Sequence, residues 1–160
     1  MIIIAIALIL CIVGLLIWKG VGKNGEKDAI KIGAIFPITG DLAQYGEYGM
    51  RGMEIALQEF KEDHPDVSVS IIVEDDMGQP KTAGSAVRKL RDVDGVDMII
   101  GSMASGLTLS VAPEMEKSKI VMMAPTSTAS EVTYAGDYIF RTCVSDAFEG
   151  ACMEIRILVT

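Results

Sequence analysis

Along this chain, short apolar runs take turns with longer segments whose apolar residues recur every three or four positions. IKIGAIF at residues 30–36 predicts a strand that ends at Pro37. Residues 48–60 put Met53, Ala56, Leu57 and Phe60 on one face at helical spacing. VSVSIIV at 67–73 alternates and predicts a second strand, closed by an acidic turn, EDDMG, at 74–78. Pro80 then suits the first turn of a helix carrying Ala83, Ala86, Val87 and Leu90, because its missing amide proton costs nothing there. VDMII at 96–100 predicts a third strand, 107–117 a third helix with Pro113 as a kink, 120–123 a fourth strand and 138–141 a fifth.

Strands and helices in alternation predict an α/β fold, a parallel sheet with right-handed crossovers and helices on both faces. Ligands of such open sheets bind outside the carboxyl ends of the strands, near the point where strand order reverses. The loops at 37–47, 101–108 and 125–133 therefore carry the interest.

GSMASG at 101–106 leaves a strand and enters a helix, so the Ser105 hydroxyl and nearby amides would face the positive end of a helix dipole, a setting for a carboxylate or phosphate. The competing reading is that Ser102 or Ser105 caps the helix. APTSTAS at 124–130 holds four hydroxyls in seven residues, which suits a small polar molecule. It also suits a cap made by Ser127 or Thr128 over 129–133, with Glu131 reaching back.

Residues 2–18, IIIAIALILCIVGLLIW, contain seventeen apolar positions and no charge, close to the roughly 20 that span a bilayer. They read as a transmembrane anchor or an uncleaved signal, and a polar linker follows at 19–29. Lys19, Lys23 and Lys27 after the segment, with no basic residue before it, would favour a cytoplasmic domain by charge alone. Beyond Asn24 the chain holds 12 Lys and Arg against 22 Asp and Glu, so nucleic acid is a poor partner. Three cysteines, no Cys-x-x-Cys and one histidine indicate neither a zinc site nor a disulfide framework.

Catalysis has no candidate constellation. Gly-x-Ser-x-Gly, the phosphate-binding Gly-x-x-x-x-Gly-Lys-Ser/Thr loop and a Gly-x-Gly-x-x-Gly after the first strand are all missing from the sequence. His64 lies in a charged turn and reads as a surface residue, and Glu74-Asp75-Asp76 reads as a solvated turn.

KIGAIFPITG at 31–40, AQYG at 43–46 and RGMEIAL at 51–57 resemble the opening of the periplasmic solute-binding proteins of branched-chain amino acid ABC transporters. VDMIIGS at 96–102, VAP at 111–113, AP with EVT at 124–133, and FRT with DAFEG at 140–150 continue the resemblance in order. It implies the N-terminal lobe of a two-lobed, type 1 periplasmic binding protein that closes on a free amino acid. Ser105 would hold the ligand carboxylate with hydroxyl and amide, and Thr128 the carboxylate or ammonium. The Thr126 carbonyl would accept from the ammonium, Tyr45 would line the side-chain pocket, and Ser127 belongs to the same cradle.

The resemblance further implies an ABC permease as partner, an extracytoplasmic location, an aliphatic amino acid as ligand and no cofactor. The lobe would occupy 30–150 and be incomplete, because family members are more than twice as long. Residues 151–160 do not resemble the family's continuation and suggest a truncation or frameshift. A membrane-anchored sensor of amino acids or small amides, or a non-functional fragment, are the alternatives.

Overall fold

The computed structural model describes residues 29–159. The apolar segment at 2–18 and the linker up to residue 28 lie outside the described residues, as does the assignment of an anchor or signal made on them. Among the described residues no helix is long and apolar enough to cross a membrane.

Strands β1 (Ile30–Phe36), β2 (Val69–Asp75), β3 (Met98–Gly101), β4 (Val121–Ala124) and β5 (Ile139–Arg141) form one parallel sheet in the order β2-β1-β3-β4-β5. Helices α1 (Ala43–Asp63), α2 (Pro80–Lys89), α3 (Ser105–Ser118) and α4 (Asp146–Val159) join or follow them. Parallel strands cannot be joined by tight turns, so α1, α2 and α3 cross between the first four strands, and a loop with a short 3-10 turn, Ser130–Tyr134, leads from β4 to β5. The chain steps one way from β1 to β2 and the other way from β3 to β4, and the switch point therefore falls between the carboxyl ends of β1 and β3.

The two-residue period of the strands sorts their side chains. Ile35, Ile99 and Met122 point to one face and meet Ala83, Ala86, Val87 and Leu90 of the α2 region and Val111, Ala112 and Met115 of α3 in a buried core. Ile30, Ile32, Met98 and Ile100 point to the other, where α1 runs. That second face is not closed. A cavity of about 730 Å3 lies between the sheet and Met53, Leu57 and Phe60 of α1, and of the α1 residues only Gly46 is buried. The apolar face expected on α1 thus points at the sheet without forming a core.

Differences from the expected boundaries have local causes. Glu74 and Asp75 pair in register with Ile35 and Phe36, so β2 runs two residues beyond Val73, into the expected acidic turn. The amide of Asp97 donates to the Lys31 carbonyl and its carboxylate accepts the Lys31 amide, both at 2.8 Å, ahead of β3 at Met98. Pro80 opens α2 as expected, and α2 continues as a π-helical turn, Leu90–Asp94, ended by Gly95 at φ 63°. Helix α3 carries through Pro113. Helix α4 projects its described side chains, Phe148 and Met153 among them, into solvent.

Gly46 fixes how α1 leaves the sheet. A Cβ there would stand 2.1 Å from the Pro37 carbonyl oxygen, a backbone atom that cannot rotate away. Gly46→Ala should lower stability by about 1–3 kcal/mol, the range for overpacking, read as a reduced urea midpoint with an unchanged slope.

Candidate functional site

The carboxyl ends of β1, β3 and β4 bring the three loops to one edge. Gly101 makes the first approach possible: its φ of 120° is open to glycine, and a Cβ there would stand 2.1 Å from the Ile35 carbonyl oxygen. The chain then turns into α3, with Ala104 as N-cap and no side-chain cap.

Both capping readings of the serines give way to contacts between loops. Ser105 is the first residue of α3, and its Oγ accepts from the amide of Ala129 at 3.1 Å. Ser102 donates to the carboxylate of Asp76. The short 3-10 turn Ser130–Tyr134 has Ala129 as N-cap, again with no side-chain cap, so neither Ser127 nor Thr128 serves there. These hydroxyls find partners across the sheet edge because neighbouring parallel strands end side by side.

The loop from Pro125 to Ala129 is held chiefly through its carbonyls. Arg141 Nη1 donates to the carbonyls of Ser127 and Thr128 at 3.3 Å and of Ala129 at 3.0 Å, and its Nη2 bonds the Thr133 hydroxyl. The Asp146 amide adds a bond to the Thr128 carbonyl at 2.9 Å, and the Thr142 hydroxyl reaches the Pro125 carbonyl at 3.3 Å. Thr126 Oγ1 donates to the Met103 carbonyl at 2.6 Å, tying this loop to the one before α3.

What remains free is a short and specific set. Ser105 Oγ accepts a backbone proton, which leaves its own proton to donate outward. Among the described residues no hydrogen bond involves the Thr128 hydroxyl, and none reaches the Thr126 carbonyl. No buried side-chain nitrogen or oxygen lacks a partner, so the Thr128 hydroxyl is open to solvent. The Ser105 hydroxyl proton, the Thr128 hydroxyl and the Thr126 carbonyl are thus among the groups that stand unpaired at the ends of β3 and β4, beside the positive end of the α3 dipole. Arg141 forms no ion pair among the described residues, so its charge adds to the positive potential there.

Two expected residues are placed differently. Ser127 is fully buried and shares a 2.8 Å hydrogen bond with the Thr108 hydroxyl, so its side chain faces inward and does not meet a ligand in the loop. Tyr45 stands on the first turn of α1 with 58% of its surface exposed, and no described hydrogen bond joins it to the hydroxyl set. Ser105, Thr126 and Thr128 are brought together. The cavity under α1 reaches the edge of these loops at Met103, Pro125 and Thr126, but neither Ser105 nor Thr128 lines it.

Three residues that sequence reasoning missed shape the site. Arg141 gathers the loop, Asp76 anchors Ser102, and Asp75 ties the β1–α1 loop to the end of β2. The solvated-turn reading fails for Asp76, which is fully buried. A run of carboxylates straight after an alternating strand is the signal that could have found it, since strand pairing can draw such residues inward. Asp75 accepts from the amides of Ile38 at 2.9 Å, Thr39 at 3.3 Å and Met77 at 2.8 Å, and from the Thr39 hydroxyl at 2.6 Å.

A parallel α/β lobe with unpaired hydroxyls at its strand ends defines a small-molecule binding domain, and comparison with known proteins gives the family. Residues 29–151 match the periplasmic binding protein family, and the chain belongs to it. It is 32% identical over 120 residues to the Leu/Ile/Val-binding protein BraC3 of Rhizobium johnstonii, covering 73% of this chain and 32% of that one. The leucine-, isoleucine-, valine-, threonine- and alanine-binding protein of Pseudomonas aeruginosa is 31% identical over 126 residues, covering 77% of this chain and 34% of its own. The structure of a leucine-binding protein, LivK, from Thermotoga maritima aligns with a TM-score of 0.70 at 32% identity, over 78% of this chain and 35% of that one. The chain spans about a third of the length of these relatives, which fits the N-terminal lobe expected from the sequence.

Partial burial raises the Asp75 carboxyl, and the bonds from the Thr39 hydroxyl and the amides of Met77, Ile38 and Thr39 outweigh it, holding the group below its ordinary value of 3.8. A carboxyl depressed in the folded state contributes stability that is complete above its unfolded value and lost as the pH falls through the folded one. Below pH 3.8, wild type should therefore lose a stability increment that Asp75→Asn lacks at every pH. Parallel denaturation curves of the two proteins between neutral and strongly acid pH should converge; curves that stay a constant distance apart would refute the assignment.

Proposed function

We propose that this chain is the N-terminal ligand-binding lobe of an extracytoplasmic solute-binding protein that takes a branched-chain or other aliphatic amino acid and serves an ABC importer. The supporting observation is the unpaired set itself. A free amino acid presents a carboxylate that needs donors and an ammonium that needs acceptors. Ser105 Oγ and Thr128 Oγ1 supply the donors, and the Thr126 carbonyl supplies an acceptor in the same loop pair. Phosphate would find no use for the carbonyl. The amino acids for which the relatives are named support the ligand class, and the family supports the location.

In this reading the lobe contributes one wall of the cleft, the permease is the partner, and the apolar segment at 2–18 is the link to the membrane. The protein binds and does not catalyse. Tyr45, exposed at the start of α1, would meet the ligand side chain only in a closed complex.

Calorimetric titration with leucine, isoleucine, valine and alanine tests this directly. One aliphatic amino acid should bind saturably, and the Ser105→Ala, Thr128→Ala double variant should bind it roughly 100-fold more weakly or worse, given the strength of hydrogen bonds to charged groups. Undiminished binding by the double variant would move the site elsewhere. No heat from any of the four, in a chain shown to be folded, would reject ligand binding by this lobe on its own.

A further inference from the structure

Four polar side chains are buried among the described residues: Asp76, Ser102, Thr108 and Ser127. They come from four different places in the sequence and lie in one connected string. Asp76 follows β2, and its Oδ1 accepts the Gly78 amide at 2.8 Å. Its Oδ2 accepts the Ser102 hydroxyl, from the turn after β3. The Ser102 carbonyl accepts Thr108 Oγ1, from the first turn of α3, over a long 3.4 Å. Thr108 Oγ1 lies 2.8 Å from Ser127 Oγ, in the loop after β4. Either hydroxyl can be the donor of this last bond; Ser127 is the donor when Thr108 gives its one proton to the Ser102 carbonyl.

This string runs beneath the groups assigned to the ligand. Thr108 is on the same helix turn as Ser105, and Ser127 lies between Thr126 and Thr128 in the sequence. Its Ser127 end bears on the loop pair that the Ala129 amide and Ser105 Oγ close at 3.1 Å, and its Asp76 end is fixed in the turn after β2 by the Gly78 amide. Buried polar groups that satisfy one another in a connected set hold their geometry, because any member that moves leaves its neighbour unpaired in a dry interior.

We propose that Asp76, Ser102, Thr108 and Ser127 are positioning residues: the string anchored on Asp76 sets the separation between the amino end of α3 and the loop after β4, and so the spacing of Ser105 from Thr128. The role in recognition rests on the reading of those two residues as ligand groups. The role in spacing does not.

The chain itself, as wild type and as a Thr108→Val, Ser127→Ala double variant, allows the two to be told apart. Replacing both partners of the Thr108–Ser127 bond by apolar groups of similar shape leaves one orphan, the Ser102 carbonyl, whose bond from Thr108 is already long at 3.4 Å, so the loss of overall stability should be modest. Native-state amide exchange followed by NMR reads the Ala129 amide, whose acceptor is Ser105 Oγ. In the double variant that amide should exchange about tenfold faster relative to the core amides of β1 and β3, on the scale of one lost hydrogen bond. Thr108→Ser keeps the hydroxyl and should restore the wild-type ratio. Val111→Ala in the core face of α3 should lower protection generally without singling out Ala129. An unchanged Ala129 ratio in the double variant, or a fall shared equally by the core, overturns the proposal, as does failure of Thr108→Ser to restore it. Leucine titration adds the second arm: where wild type binds, the double variant should bind about fivefold to tenfold more weakly, and equal affinity overturns the role in recognition. A wild type that binds no leucine counts against the functional reading alone, and the exchange ratio still decides the spacing.

Discussion

Parallel pairing of β1 with both β2 and β3 is the constraint from which the rest follows. A strand in the middle of a parallel sheet satisfies its backbone on both edges, but each of its neighbours must be reached by a crossover over one face. All five strands therefore end at the same edge, and the loops that follow them are forced together. Gly46 and Gly101 are where this crowding is most acute, since each brings its backbone against a carbonyl of the β1 region at a distance no side chain could share.

The crowded edge then has to dispose of its polar groups. Enclosed ones are matched to one another, from Asp76 through Ser102 and Thr108 to Ser127, and no buried side-chain polar atom among the described residues is left over. Carbonyls of the loop after β4 are collected by the single guanidinium of Arg141, a planar group suited to serving several acceptors at once. In the proposed reading, the Ser105 hydroxyl proton, the Thr128 hydroxyl and the Thr126 carbonyl, left without a partner from this chain, are the groups offered to a zwitterion.

The two faces of the sheet are unequal for the same reason. On one, α2 and α3 cross side by side and seal a core from Ile35 to Met122. The other has α1 alone, and one helix about 10 Å across cannot cover a five-stranded sheet whose strands lie roughly 4.8 Å apart. The apolar cavity under Met53, Leu57 and Phe60 is the result.

The five strands, the three helices that cross between the first four of them and the three loops at the carboxyl edge were legible in the sequence, because the two-residue and 3.6-residue periods are local and Pro37 and Pro80 punctuate them; helix α4 was not. The resemblance of the ordered segments between residues 30 and 150 carried the family. What local pattern could not decide was which of several chemically equal hydroxyls is occupied. Ser102, Ser105, Ser127 and Thr128 all looked like helix caps or ligand groups, and the tertiary structure separated them. Ser102 and Ser127 turn inward to Asp76 and Thr108, Ser105 accepts from Ala129, and Thr128 stays open. A hydroxyl bonds whichever polar group lies nearest in space, and between residues 19 or more positions apart that distance is set by strand order and crossover geometry, which no short stretch of sequence contains.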